Sequence, residues 1–121
     1  MKRDLDLIRR ILMDIQSMPA GEARQEITYA GEYDPATIAE HVALLIESDL
    51  IKGEMLNIFG NTDQFMITGL TWKGHDFIDA AKNEHIWAKA KKTVLKETPL
   101  IAFDVLLEWL KIEMKKKLGL L

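Results

Sequence analysis

The residues best suited to chemistry in this sequence form one small cluster, His75, Asp76 and Asp79. Positions 75 and 79 are about one helical turn apart, so on a helix the two side chains share a face and could ligate one cation. No second pair of ligands is visible nearby, because His85 falls in another predicted helix. We therefore expect a His–Asp hydrogen bond at the start of this helix, and we predict neither a metal nor another cofactor.

Catalytic groups of other kinds have little support. The chain has no cysteine, which excludes thiol nucleophiles, disulfides and thiolate metal sites. Its only serines, Ser17 and Ser48, lie near predicted helix ends and outside any Gly-x-Ser-x-Gly turn. His41 sits at the edge of an apolar helix face, where a partly buried, hydrogen-bonded core side chain is the commoner role. We predict a protein that is not an enzyme and has no small-molecule substrate.

The composition is typical of one globular domain. The chain has 121 residues, of which 48% are hydrophobic and 29% charged. No apolar run approaches the roughly 20 residues of a membrane span. The charged start, MKRDLDLIRR, does not resemble a signal peptide. We expect a cytoplasmic protein that has no membrane partner.

Hydrophobic periodicity and capping residues predict a mainly helical α+β fold. Asp34 followed by Pro35 is typical of a helix start, and Thr71 can cap the helix that follows the predicted hairpin. The predicted elements are helices at about 3–18, 34–49, from Thr71 to Asn83, 84–97 and 99–118, and strands at about 25–29, 51–59 and 64–70, with a turn at 60–63.

A helix followed by a two-stranded hairpin is the plan of a winged helix. The helix at 34–49 occupies the position of a recognition helix, and the hairpin at 51–70 is the wing. We predict a single domain over the whole chain, with a winged-helix-like core at 1–83 and a C-terminal helical extension at 84–121.

Several side chains are predicted to face the core. Phe65 and Ile67 alternate with more polar neighbours, so both point to one face of the second hairpin strand. Trp72 and Trp87 are predicted core residues at the start of the third helix and in the fourth. Val94 is predicted to face inward with Trp87.

The last predicted helix carries two apolar stripes. It begins at Thr98 and Pro99, and its first stripe covers the body of the chain. Its second stripe consists of Val105, Trp109 and Ile112. A terminal helix with two apolar faces needs two partners, so we predict that this second stripe is a protein interface. The partner is another protein or a second copy of the chain, as in a homodimer.

The charge distribution argues against the usual mode of winged-helix DNA binding. The net charge is −3. The stretch from Gln25 to Ile51 contains six acidic residues and no lysine or arginine. The helix at 34–49 also lacks asparagine and glutamine, so it has none of the four side chains that most often read base edges. DNA contacts would have to come from other helices. The candidate contacts are Arg3, Arg9, Arg10, Lys89, Lys92, Lys96, Lys115 and Lys116.

Four segments give the chain a family resemblance. They are the opening MKRDLDLIR, HVALLIE at 41–47, LTWKGHDFIDA at 70–80, and Trp87 together with the closing KKKLGL at 115–120. Together these segments resemble domain-of-unknown-function family 2513, a bacterial and prophage family. The resemblance covers nearly the whole chain. It implies a small winged-helix-like fold that is common on mobile elements, and it implies no established chemistry.

Two functions of different kinds remain open from the sequence. The first is a non-enzymatic module that binds a macromolecule through protein–protein contact or self-association. The second is a DNA-binding transcriptional regulator that uses the winged-helix fold in a non-standard way. The role of the acidic stretch at 25–51 is also open: it is a binding surface for a basic protein, a solvated face, or a mimic of DNA, for which the number of carboxylates is low.

Overall fold

Capping residues and apolar periodicity set the elements of the fold. The computed structural model describes residues 2–98 and 101–120. Its elements are α1 (Leu5–Gln16), α2 (Pro35–Glu47), β1 (Ile51–Ile58), β2 (Asn61–Leu70), α3 (Trp72–Ala81), α4 (Glu84–Lys92), α5 (Val94–Glu97) and α6 (Phe103–Lys117). The fold is therefore α+β and mainly helical, with a two-stranded antiparallel hairpin, as predicted. Two compact units, Met1–His75 and Asp76–Leu121, are each described by themselves below.

In the first unit, α1 and α2 are joined through a buried histidine. His41 is 1% exposed, and its Nε2 accepts the backbone N–H of Asp4, the residue that caps α1, at 2.9 Å. A backbone N–H can only donate, so the ring proton lies on Nδ1, which donates to the carbonyl of Thr37 at 2.8 Å. Both ring nitrogens are satisfied. The predicted hydrogen-bonded core role of His41 is confirmed, and the side chain is more completely buried than the partial burial that was predicted.

The hairpin turns at two residues with left-handed backbone. Phe59 and Gly60 have φ of +51° and +81°, the sign that a type I′ turn requires at both central positions. The predicted turn at 60–63 was wrong, because the residues from Asn61 onward already belong to β2. The predicted alternation in β2 is confirmed, since Phe65 and Ile67 are 5% and 0% exposed.

The strand predicted at 25–29 does not form. The only β-pairing of this segment is a bridge between Arg24 and Ile67 of β2. The chain then turns toward α1, where the Tyr29 hydroxyl donates to the Asp14 carboxylate and the Arg10 guanidinium lies 4.1 Å above the Tyr29 ring. Burial and the bond to Asp14 raise the pKa of this phenol. These contacts to α1 replace the backbone pairing that the sequence suggested.

Hydrogen bonds between Asp49–Leu50, after α2, and Thr71–Gly74, at the start of α3, connect the two ends of the hairpin. We call this set of contacts the joint. The Thr71 hydroxyl donates to the carbonyl of Asp49 at 2.6 Å and accepts the N–H of Gly74 at 3.0 Å, which confirms the predicted cap. The N–H of Thr71 also donates to the carbonyl of Leu50 at 3.1 Å. The chain packs so closely here that a Cβ on Gly74 would lie 2.0 Å from the Leu50 oxygen.

The second unit is centred on an aromatic cluster. Phe77 of α3 is fully buried, with its ring 6.5 Å from that of Trp87 in α4 and 4.8 Å from that of Phe103 in α6. Trp87 is 4% exposed, so its predicted core position is confirmed.

Trp72 is 83% exposed, and its predicted core position was wrong. It lies two positions before Gly74, roughly 200° around α3 from the buried face.

The single helix predicted at 84–97 is two helices. Thr93 separates α4 from α5 with φ −116° and ψ −91°, and its hydroxyl donates to the carbonyl of Lys89 at 2.7 Å. A hydroxyl that bonds the preceding turn offers the backbone an alternative to continued helix. Because α5 is rotated away from the α4 register, Val94 is only half-buried rather than inward-facing.

The last helix starts later than predicted and ends as predicted. It begins at Phe103 after Ala102, whose side chain makes no capping hydrogen bond. Pro99, the predicted first helical residue, lies outside the described residues. At the other end Gly119 has φ +73°, and the N–H of Leu120 donates to the carbonyl of Lys115 at 2.8 Å. This pattern is a Schellman motif.

Replacing Gly74 with alanine tests the joint. The added methyl group meets a backbone oxygen rather than a movable side chain, so Gly74→Ala should lower the free energy of unfolding by about 2–3 kcal/mol. Gly69→Ala is the matched control, because a Cβ at position 69 meets nothing within 4 Å. Urea denaturation of both variants checks this. Equal stability of the two variants would contradict the packing described for Gly74.

Candidate functional site

The outer face of α6, defined as Val105, Trp109 and Ile112, is an apolar stripe without a full cover. Val105 is 57% exposed, Ile112 is 42% exposed, and Trp109 is half-buried. The opposite side of the helix packs inward through Leu106, Leu107 and Leu110. The two stripes predicted for this helix therefore differ in burial. The inner stripe belongs to the core, and the outer stripe meets solvent.

Charges of opposite sign border the two ends of this face. Asp104 and Glu108 lie in the first half of α6, and Lys111 and Lys115 lie in the second half. The Lys111 ammonium is 3.8 Å from Glu108 and 3.9 Å from Asp76, which are long contacts between partly exposed side chains. Such pairs contribute little to stability. The helix is thus acidic toward its start and basic toward its end.

A buried glutamate pairs with two of the predicted DNA-contacting lysines. Glu113 of α6 is only 9% exposed, and its carboxylate accepts hydrogen bonds from Lys89 at 2.7 Å and from Lys116 at 3.4 Å. The hydrogen bond from the Lys89 ammonium is the main reason that the pKa of Glu113 lies below its usual range. Glu113 was not among the residues predicted to have a role. Its position three residues after Leu110, on the buried side of the helix, was the available signal.

The remaining candidate DNA contacts are spread over several helices. Lys92, Lys96 and Lys115 are exposed and lie on α4, α5 and α6 in turn. In the first unit, the Arg10 guanidinium pairs with Glu32, and this hydrogen bond raises the pKa of the arginine. The two other arginines of this set, Arg3 and Arg9, also have interactions within the chain. The described residues do not bring this set of cations together on one helix.

The helix at the recognition position, α2, has acidic side chains on its exposed face. Glu40 and Glu47 of α2 are exposed. Asp34 caps the helix by accepting the N–H of Thr37 at 2.7 Å, which lowers the pKa of its carboxyl group. This surface would repel the phosphate backbone of DNA.

The histidine cluster has other partners than the ones expected. His75 Nδ1 lies 3.4 Å from the amide nitrogen of Gln16, in place of the predicted hydrogen bond to an aspartate. Asp79 pairs with Lys82 at 3.4 Å. Within residues 2–98 and 101–120, no group of three or more histidine or acidic side chains is arranged to hold a metal ion. None of the described helices is long and apolar enough to cross a membrane.

A groove of about 450 Å³ lies in the first unit, between residues 25–28, the start of α2 and the outer edge of β2. We call it the β2-edge groove. Apolar atoms of Ile27, Ile38 and Phe65 line it, and its charged lining residues are Glu26 and Asp63. The groove could not be predicted from the sequence as long as 25–29 was expected to be a strand. The stretch from Gln25 to Ile51 without lysine or arginine was the signal that could have found it.

Acidification tests the Glu113 cluster. A folded-state pKa below the usual value of 4.5 means that this carboxylate stabilises the fold above that pH, and that the stabilisation is lost as the pH falls through the lowered pKa. Glu113→Gln should therefore cost about 1 kcal/mol near neutral pH and lose less stability than the parent on acidification. Glu108→Gln, at a side chain that is 69% exposed, is the control. Urea denaturation across this pH range measures both, and identical acid profiles for Glu113→Gln and the parent would contradict the pairing.

Comparison with known proteins places the chain in a family. No solved structure matches it. An uncharacterized protein of Haemophilus influenzae is 31% identical over 109 residues, which cover 88% of this chain and 89% of that protein. Residues 2–99 match the family described as "Hypothetical protein (DUF2513)". The closing KKKLGL at 115–120 lies outside the matched residues. Because the match spans most of the sequence, the chain belongs to the DUF2513 family.

Proposed function

We propose that this protein is a non-enzymatic, macromolecule-binding module that associates with a second copy of itself through the outer face of α6. The observation that carries the proposal is the exposure of Val105 and Ile112 on either side of Trp109. These positions are spaced i, i+4 and i+7, so they form one continuous stripe along the helix. Tryptophan at the centre of an apolar patch is the commonest type of interface anchor.

The charges of α6 favour a second copy in antiparallel orientation. A two-fold axis near Trp109 would bring the acidic first half of one helix, with Asp104 and Glu108, against the basic second half of the other, with Lys111 and Lys115. A two-fold interface uses the same patch on both partners, so the patch must be self-complementary. This helix meets that condition in both its apolar stripe and its charges.

The first unit supports a winged-helix proposal. A helix, a bridge at Arg24, a second helix and a hairpin follow one another in the first unit, which is the order of a winged helix. The single-domain organisation, the cytoplasmic location and the prophage or mobile-element setting stay predictions from the sequence and the family resemblance.

The second candidate is a DNA-binding regulator. The helix–hairpin order favours it, and the exposed lysines Lys92, Lys96 and Lys115 could contact phosphate. Against it stand the acidic α2 and the internal pairing of Lys89 and Lys116 with Glu113. The first candidate therefore has the stronger support.

Removing the central side chain tests self-association. The parent should show twice the chain mass of 13.8 kDa in sedimentation equilibrium. Trp109→Ala should raise the dissociation constant of the dimer by roughly tenfold or more, since anchor residues carry most of the binding free energy. Trp72→Ala is the matched control, because it removes another exposed tryptophan outside α6. A monomeric parent, or an equal effect of both variants, would contradict the proposal.

A salt titration separates the two candidates. An interaction module should bind labelled duplex DNA no more tightly than about 10⁻⁴–10⁻⁶ M, the range of non-specific binding. Fluorescence anisotropy at about 50 mM and about 200 mM salt measures this affinity and its salt dependence. Tighter binding that falls steeply with salt would instead support the regulator.

A further inference from the structure

The outer edge of β2 has an incomplete β-pairing. Ile67 exchanges both of its backbone hydrogen bonds with Arg24, each with an N···O distance of 2.8 Å. Backbone groups alternate between the two edges of a strand, so Phe65 directs its N–H and C=O to this same edge. Closer to the turn, the side-chain oxygen of Asn61 accepts the N–H of Asp63 at 2.9 Å. The pairing that starts at Ile67 therefore stops after one residue pair.

The opposite wall of the groove is a segment with free backbone groups. After Arg24, the N–H and C=O groups of residues 25–28 make no hydrogen bond with any protein group in the described parts of the chain. Backbone polar groups need a partner, which is water when no protein group is present. Residues 25–28 and the residues of the β2 edge line the two sides of one groove, so backbone groups of 25–28 that face the groove are available to a ligand.

The groove has the length of a short strand. Its β2 wall runs from Asn61 to Phe65, which at about 3.3 Å per residue is roughly 13 Å, room for about four extended residues. Side chains of an added strand point alternately to opposite faces, so every second residue would meet the apolar atoms of Ile27, Ile38 and Phe65. The groove volume of about 450 Å³ lies within the range of ordinary ligand clefts.

The charge of the groove indicates which kind of ligand it would bind. Its charged lining residues, Glu26 and Asp63, are both acidic. Glu26 belongs to a stretch from Gln25 to Ile51 that has no lysine or arginine, and Asp63 lies at the start of β2. A nucleic acid would be repelled, whereas a basic peptide would be attracted and oriented.

We infer that the β2-edge groove binds an extended, lysine- or arginine-rich peptide segment of a partner protein, which adds a strand beside β2. Backbone hydrogen bonds to Phe65 and to residues 25–28 supply affinity that does not depend on peptide sequence. The carboxylates of Glu26 and Asp63 supply the preference for basic side chains. This site lies in the first unit and does not depend on the outer face of α6.

The test uses a fluorescein-labelled hexapeptide of alternating lysine and valine and the full-length protein. Fluorescence anisotropy should show saturable binding of this peptide. A glutamate–valine peptide should bind much more weakly. The lysine–valine peptide with alternate backbone nitrogens methylated keeps its charge but loses donors, so it should also bind weakly. Equal binding of the methylated peptide would overturn strand addition, and absence of binding by the parent peptide would overturn the site.

Charge-reversal variants test whether the peptide binds at the groove. The double variant Glu26→Lys/Asp63→Lys should weaken binding of the lysine–valine peptide by roughly tenfold or more. The matched control, Glu40→Lys/Glu47→Lys, changes the net charge equally on exposed positions of α2 outside the groove, and it should have a much smaller effect. Equal losses in the two variants would show non-specific charge attraction and overturn the inference.

A second measurement needs no variant, so it holds even if a substituted protein fails to fold. In an amide NMR titration of the unmodified protein, the lysine–valine peptide should shift the signals of residues 25–28 and of Asp63 to Phe65. Shifts confined to other parts of the chain would overturn the inference. Trp109→Ala should leave these peptide-induced shifts unchanged, so loss of self-association and loss of peptide binding are distinguishable.

Discussion

The joint between Asp49–Leu50 and Thr71–Gly74 is the constraint on which the first unit depends. One hydroxyl, that of Thr71, both donates to the Asp49 carbonyl and accepts the Gly74 N–H, and the Leu50 carbonyl takes the Thr71 N–H. Each bond is worth only about 1 kcal/mol, but together they hold the two ends of the hairpin side by side. The glycine is required because the helix starts against a backbone oxygen. The register of β2, and with it the edge that lines the groove, follows from this closure.

Much of the chain's charge is neutralised internally, and this determines which surfaces can bind a partner. Glu113 forms ion pairs with Lys89 and Lys116, and Glu32 forms one with Arg10. These three cations, which were candidates for contacts with phosphate, are therefore already paired. Among the described residues, two surfaces do not take part in these ion pairs. One is the apolar outer face of α6, and the other is the acidic groove beside β2. Both suit protein partners better than DNA, which is why the regulator is the weaker candidate.

The sequence predicted the elements with strong local signals and missed those decided by tertiary contacts. Asp34–Pro35, Thr71 and Gly119 each mark a helix end through a local hydrogen bond or a backbone preference, and all three hold. The strand at 25–29 failed because Tyr29 is drawn to α1, a contact with no local signature. Trp72 illustrates the same limit, since a tryptophan at a helix start looks like a core residue until the buried face of the helix is known.

The candidate surfaces were predictable to different degrees for the same reason. The outer stripe of α6 could be read from helical spacing alone, because periodicity shows a second face whatever the first one covers. The β2-edge groove could not, since it exists only where an expected strand is absent. Glu113 could not be predicted because a buried carboxylate needs a charged partner, and its main partner, Lys89, belongs to a different helix, α4.

Photo-crosslinking from position 109 is the most direct measurement of self-association through α6. Benzoylphenylalanine in place of Trp109 should, on irradiation, give a covalent dimer whose crosslinks map to the α6 residues between Val105 and Ile112 of the second copy. The same group in place of Trp72 should give little dimer. A product that remains a monomer, or dimers that form equally from both positions, would contradict an interface on the outer face of α6.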